Sequence, residues 1–364
     1  MKLGLIGLPL AGKSTLFRLL TGAAPPEGGG TKGAVGIARV PDPRVDTLAA
    51  LYNPRKVTYA TMTVMEVPGL IPSAFRSRAA GLFGLDPKSF VDALKDVDAL
   101  VYVVRAFHDP ATPHVRGEID PAQDLTAIAH ELLLADWQLI ETRLERLQAA
   151  KKRQPDHELQ LATLNKAQAA LEQETPLFAV DFDEQERRAL KGYTLFTDKP
   201  ALVAVNLDDQ QLAQGDYPQK EGLASAARAM GAPVVEFAAL VESEIAELDP
   251  EDRKAFMDDL GLTRTGVERL ALAAYARLGL LSYFTVGEDE VRAWTVRKGA
   301  DAREAAGAIH SDIARGFIRA EVASYAELVA AGGWNALKQQ GRIRLEGRDY
   351  IVQDGDVMSF RFNV

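Results

Sequence analysis

Apolar residues cluster in short valine-rich runs: MKLGLI at the start, then TMTVMEV at 61–67, ALVYVVRAF at 99–107, PALVAVNL at 200–207 and APVVEFAAL at 232–240. Continuous rather than alternating apolarity predicts strands buried on both faces, a parallel sheet with helices on either side, and the intervening segments are long enough for crossovers. AVGIARV at 34–40 fits an additional edge strand. Between 107 and 200 the spacing changes. Leu125, Ile128, Leu132, Ala135, Leu139, Thr142 and Arg146 fall three and four apart, with the first five apolar and Leu144 and Leu147 continuing a neighbouring stripe. A second helical stretch carries Leu161, Leu164 and Leu171 after a break at KKRQPDH, so the pair predicts an antiparallel helical hairpin inserted into the sheet domain. From Leu281 the runs shorten and alternate (YFTVG, RAWTVRKG, GRIRLEGRDYIV, VMSFRFNV) between glycine-containing turns, which predicts a small mixed sheet.

The stretch GLPLAGKST joins the first predicted strand to a predicted helix, LFRLLTG. A Gly-x-x-x-x-Gly-Lys-Ser pattern in that setting reads as a phosphate cradle formed by Gly7, Leu8, Pro9, Leu10, Ala11, Gly12, Lys13, Ser14 and Thr15. The glycines let main-chain N–H groups turn inward, and the helix that follows adds its positive N-terminal end. Lys13 is the expected partner of the β- and γ-phosphates, and the Ser14 hydroxyl is an expected Mg²⁺ ligand. In a doubly wound sheet ligands sit beyond the carboxyl ends of the strands, where this turn falls.

At 364 residues, with 47% hydrophobic and 26% charged residues, the chain suits a globular protein of two or three domains. No run approaches the ~18 apolar residues of a membrane span, which predicts no membrane partner. The strand-like start leaves no room for a signal peptide before Gly7, and the absence of cysteine excludes disulfide and thiolate–metal architectures. A cytoplasmic location is the expectation. A net charge of −9 opposes indiscriminate nucleic-acid binding. Nine arginines and two lysines against twelve acidic residues from Leu281 onward still leave room for a local basic face.

Several of these segments together resemble the Obg-like ATPases, or YchF proteins, of the P-loop GTPase superclass. The resemblance rests on GLPLAGKSTLFRLLTG, VGIARVPDPR, VDALVYVVRAF, DLTAIAHELLLADWQLIETRLERL, FTVGEDEVRAWTVRKG, GFIRAEV and RLEGRDYIVQDGDVMSFRFNV, which span most of the chain. It implies an α/β fold with a doubly wound P-loop NTPase domain (1–118 and 194–278), an inserted helical coiled-coil arm (119–193) and a C-terminal β-grasp-like TGS domain (281–364). It also implies hydrolysis of ATP or GTP with Mg²⁺, and ribosome or RNA contacts through the TGS domain and the arm, whose tip carries Lys151, Lys152 and Arg153.

The resemblance carries further site residues with it. The second switch, usually Asp-x-x-Gly, is here Glu66-Val67-Pro68-Gly69, so the acid expected near Mg²⁺ is one methylene longer. Gly69 is expected near the γ-phosphate. Leu70 follows, where Ras-like enzymes use glutamine to orient water, and leucine cannot do so. The resemblance points instead to His114, in HDPATPHVRG, and to Thr31 in the first switch as a Mg²⁺ ligand. Base recognition falls to Asn206, Leu207 and Asp209 of NLDD and to Ala238, Ala239 and Leu240. Asp209 favours guanine, whereas the resemblance, whose members usually carry glutamate there, favours adenine; both bases stay open. In the TGS region Arg297, Lys298, Arg315 and Arg319 are candidates for phosphates and Trp294 and Phe317 for stacking. The leading expectation is a slow Mg²⁺-dependent nucleoside triphosphatase acting as a conformational switch on the ribosome or an RNA assembly. The alternative is a nucleotide-gated RNA- or ribosome-binding module with little or no hydrolysis.

Overall fold

The computed structural model describes residues 2–23, 33–72, 87–150, 156–259 and 261–363. Thr31 and the arm tip, Lys151 to Arg153, lie outside them. Contacts divide the chain into one unit of Met1–Gly36 and Thr63–Leu270 and another of Ile37–Met62 and Ala271–Val364.

The first unit is built on a six-stranded sheet of β1 (Lys2–Ile6), β2 (Ala34–Arg39), β4 (Thr61–Glu66), β5 (Ala99–Arg105), β6 (Ala201–Asn206) and β7 (Val234–Phe237). Their order is β2-β4-β1-β5-β6-β7, with β2 at the edge as its sequence suggests. The pairs β4/β1, β1/β5, β5/β6 and β6/β7 are parallel. Every residue of β5 and β6 is buried, which is why both segments are apolar without alternation. The five strands of these pairs run in one direction and end at the same side, where β1 feeds the glycine-containing turn.

The helices Pro121–Ala149 and His157–Glu172 form the expected hairpin and pack against each other. The longer one serves two cores. Leu125, Ile128 and Leu132 join the cluster beneath the sheet, whereas Ile140 and Leu144 pack with Leu164, Ala167 and Leu171 in the arm. Its buried stripe runs 132, 136, 140, 144, not through Ala135 and Leu139 as the sequence spacing suggests. Steps of four overshoot a 3.6-residue turn by about 40°, so the buried face rotates from the sheet towards the second helix. Asp136 stands at the changeover, fully buried, accepting hydrogen bonds from Phe196 N (2.8 Å), Thr197 N (2.7 Å) and Thr197 Oγ1 (2.7 Å). Burial raises its pKa to about 6 despite those donors. Among the described residues no helix is long and apolar enough to cross a membrane.

The second unit holds a mixed sheet in the order β11-β10-β12-β8-β9-β3. Its strands are β3 (Lys56–Thr58), β8 (Leu280–Thr285), β9 (Glu290–Arg297), β10 (Phe317–Ser324), β11 (Arg344–Glu346) and β12 (Asp356–Phe362). β8/β9 and β10/β12 are antiparallel, while β12/β8 and β3/β9 are parallel. Tyr283, Val322, Met358 and the helix Ala302–Ile309 make its core. The inclusion of Ile37–Met62 in this unit has no local signal, because β3 finds its partner more than 230 residues downstream.

Candidate functional site

β1 ends at Ile6, the turn runs from Gly7 to Gly12, and the helix Lys13–Thr21 follows. Leu10 and Gly12 both take positive φ, 61° and 96°. Gly12 is constrained twice, since a Cβ there would lie 2.2 Å from Asn206 Nδ2. Lys13 is 6% exposed, and its ammonium donates to Leu8 O (2.7 Å) and Gly7 O (3.3 Å). An ammonium has three donors, so one is left for a ligand. Burial drives its pKa down to about 8, with the charge of Glu66 pulling the other way.

The turn is braced on one side by the segment after β4. Ser14 Oγ donates to Glu66 Oε1 at 2.5 Å, so the two oxygens expected at Mg²⁺ meet directly. Leu70 N donates to Gly7 O (3.1 Å) and Val67 N to Leu5 O (3.0 Å), which lays residues 67–70 along the turn. Gly69 touches it so closely that a Cβ would stand 2.6 Å from Pro9 N. Leu70 is fully buried in the core with Ile6, Leu8 and Val67, so its side chain faces away from any ligand.

On the other side Asn206, 3% exposed, donates from Nδ2 to Ala11 O (3.2 Å) and accepts from Ala239 N (3.0 Å). This amide clips the turn to the loop that starts the helix Ala239–Glu247. Asn206→Ala strips both partners from buried backbone groups, and the expected result is a loss of about 2 kcal/mol in urea unfolding. Nucleotide affinity should fall about tenfold with it, and unchanged values in both measurements would mean the clip is idle.

These elements surround a cleft of ≈ 830 Å³, within the usual range for ligand sites. Leu10, Gly12, Lys13, Ser14, Thr15, Asn206, Leu207, Asp209, Ala239 and Leu240 line it. Gly7, Leu8, Pro9, Ala11 and Ala238 are buried outside its lining, and Glu66 and Gly69 approach through Ser14 and Pro9. Asp209 is exposed at the start of the helix Asp209–Gln214, while its neighbour Asp208 caps that helix (Gln211 N, 2.9 Å) and accepts from His108 N (3.2 Å).

The loop after β5 contributes Phe107, His108, Asp109, Pro110 and Thr112 to the lining, residues that sequence reasoning passed over. Its position after a central strand, beside the strand of the glycine turn, was the available signal. Arg105, 2% exposed, shapes this loop by donating to Phe107 O (3.2 Å) and Asp109 O (3.3 Å), and its guanidinium lies 4.2 Å from the Phe107 ring centroid.

The same loop does not bring His114 into the cleft. His114 Nε2 lies 2.9 Å from Asp124 Oδ2, and Nδ1 accepts from Arg116 N at 3.3 Å. Because Nδ1 accepts, Nε2 carries the proton that Asp124 receives. Thr31 is outside the described residues. In the second unit, Trp294 donates from Nε1 to Thr285 Oγ1 (3.0 Å) and has Arg292 3.8 Å over one face, while Phe317 packs against Phe360. Both rings are thereby engaged inside the unit.

A glycine turn between a central parallel strand and a helix, a buried lysine folded over it, and a hydroxyl–carboxylate pair at its side define a P-loop nucleotide-binding domain. The chain belongs to the YchF family. It is 40% identical to a Bacillus subtilis (strain 168) protein named ribosome-binding ATPase YchF, over 99% of each chain. A Haemophilus ducreyi protein of the same name is also 40% identical, covering 100% of this chain and 99% of its own. The solved structure of the Schizosaccharomyces pombe YchF GTPase superposes with a TM-score of 0.85 at 27% identity, over 99% of this chain and 97% of that one. A family model, YchF-GTPase_C, described as a protein of unknown function (DUF933), matches residues 280–363.

Proposed function

We propose that this chain binds a purine nucleoside triphosphate with Mg²⁺ in the cleft, hydrolyses its terminal anhydride, and uses the change of state to control docking on the ribosome. The observation that carries this reading is the buried Lys13 ammonium folded over the glycine turn, with Ser14 and Glu66 in contact beside it. Two oxygen donors at one edge suit Mg²⁺, which keeps several waters and takes its remaining ligands from phosphates. Ser14 and Glu66 would hold the ion, with Thr31 as a third donor; bound there, it offsets charge on the β- and γ-phosphates.

The main-chain amides and Lys13 bind and orient the polyphosphate, and the reaction is attack of water on the γ-phosphorus. Leu70 is buried and orients nothing, so His114 is the group assigned to the water, after its ring leaves Asp124. Without a partner that favours this rearrangement, turnover is slow. Phe107 and Leu240 offer apolar surface to the base, and Asp209 stands at the rim as an acceptor for guanine N1–H. Both ATP and GTP remain within the proposal, matching relatives named ATPase in bacteria and GTPase in fission yeast. Ribosomal contacts are assigned to the TGS unit and the arm, and the location to the cytoplasm.

The second reading, a nucleotide-gated binding module with little hydrolysis, is favoured by the burial of Leu70. Single-turnover phosphate release separates the two. Mg²⁺-dependent release from ATP or GTP is the expected result, and tight binding with no release over hours would select the module.

A further inference from the structure

We infer that Asp124 and Arg116 form a latch that keeps His114 out of the nucleotide cleft and ties the loop after β5 to the root of the helical arm. The inference rests on the assignment of His114 to the attacking water.

Asp124 belongs to the first turn of the helix Pro121–Ala149, the same helix that runs out as the longer half of the arm. Its carboxylate is 1% exposed and divides its oxygens, Oδ2 to His114 Nε2 (2.9 Å) and Oδ1 to Arg116 Nη1 (3.3 Å). Arg116 also reaches Glu118 through Nη2 (3.1 Å). With Nδ1 accepting from Arg116 N, both nitrogens of the imidazole are occupied and neither can meet a water in the cleft.

The chain on either side is arranged for a short swing. Thr112 lines the cleft and stands only two residues from His114, at most about 7 Å along an extended chain. Asp109 closes a turn over Ala111 N (2.9 Å) and Thr112 Oγ1 (2.5 Å), which fixes the near end. Gly117, at φ 84° with open space where a Cβ would stand, forms the far end. Between these two points Val115 stays anchored in the core beneath the sheet, so the exchange is confined to His114 and the residues just before it.

Release does not strand a charge. Asp124 keeps Arg116, and Arg105 holds Nη1 buried with no hydrogen-bond partner in this structure, beside an acid whose field it already feels. Burial lowers the Arg105 pKa, and Asp109 and then Asp124 counter it. A bend or rotation at the root of the arm moves Asp124 directly, so a partner that grips the arm alters the fraction of molecules with a free imidazole, and the first-turnover rate scales with that fraction.

The test uses the full chain with Mg²⁺ and the triphosphate it turns over, measuring single-turnover phosphate release and nucleotide affinity together. Asp124→Asn keeps the shape and weakens the hold on Nε2–H, so release should accelerate by about threefold or more while affinity stays within about twofold. Arg116→Gln leaves His114 as the principal hydrogen-bond donor to the carboxylate and should slow release. Opposite signs at two contacting residues are not what a structural role yields. The gain from Asp124→Asn should vanish in a His114→Ala background, and in ¹³C-histidine spectra of nucleotide-free protein the His114 signal should move towards that of a free imidazole. A folded Asp124→Asn protein that is unchanged or slower overturns the latch. So does acceleration that survives His114→Ala, or a faster Arg116→Gln protein should Asp124→Asn fail to fold. If His114→Ala alone leaves wild-type release unchanged, the assignment of His114 fails, whereas a slower His114→Ala protein beside an unaltered Asp124→Asn protein removes only the latch.

Discussion

Lys13→Ala should lower single-turnover phosphate release by about two to three orders of magnitude, the usual loss when one preorganised positive donor is removed from a phosphoryl-transfer site. The size follows from position. The ammonium is buried, two of its donors are already held by Gly7 O and Leu8 O, and the third has a fixed direction, so no reorganisation is needed when charge builds on the phosphates. A pH signature accompanies it. The pKa near 8 belongs to the ligand-free protein, where burial disfavours the charge. A polyphosphate binds the charged form, so above pH 8 binding must take up a proton. Triphosphate affinity should then fall as pH rises through 8, by up to tenfold per unit. Nucleotide phosphates are fully ionised in that range and do not mask the effect. A wild-type affinity that is flat from about pH 7 to 9.5 would contradict the position assigned to Lys13.

Gly69→Ala is the second large effect. The added methyl would stand 2.6 Å from Pro9 N and 2.8 Å from Pro9 Cα, both backbone, so one of the two segments must move. Displacement of the segment after β4 breaks the Leu70 N to Gly7 O bond and draws Glu66 from Ser14. Phosphate release should drop about thirtyfold or more and half-saturation by Mg²⁺ should rise, because the carboxylate and hydroxyl no longer converge. Diphosphate affinity, which depends on the turn and Lys13, should change by less than about threefold. Equal losses for di- and triphosphate would mean that the methyl damages the turn itself.

What was legible in the sequence was what is contiguous in it. β5 and β6 announce themselves because burial on both faces demands unbroken apolar runs, and the phosphate turn because all its donors come from nine successive residues. Asn206 and Leu207 could be placed at the cleft because a strand end carries them there. Partnerships across the fold left no such trace. Nothing local to His114 says that Asp124 will hold its ring, and nothing local to Leu70 says that the side chain turns into the core rather than towards a ligand. Phe107 and Arg105 read as the end of a buried strand, and only the turn of the chain after β5 makes one a lining residue and the other its support. The arm was legible as a helix, yet the buried face at Asp136 was not, since the stripe rotates as the helix leaves the sheet. β3 joins a sheet whose other strands lie beyond residue 279, a choice made by tertiary packing alone.

The most direct measurement is calorimetric titration of the wild-type and Lys13→Ala proteins with ATP, GTP, ADP and GDP in the presence of Mg²⁺. One purine nucleotide should bind per chain in the wild type, with the triphosphate affinity sharply reduced by the substitution. Absence of binding at millimolar nucleotide, or binding indifferent to Lys13, would contradict a polyphosphate seated on the turn from Gly7 to Gly12.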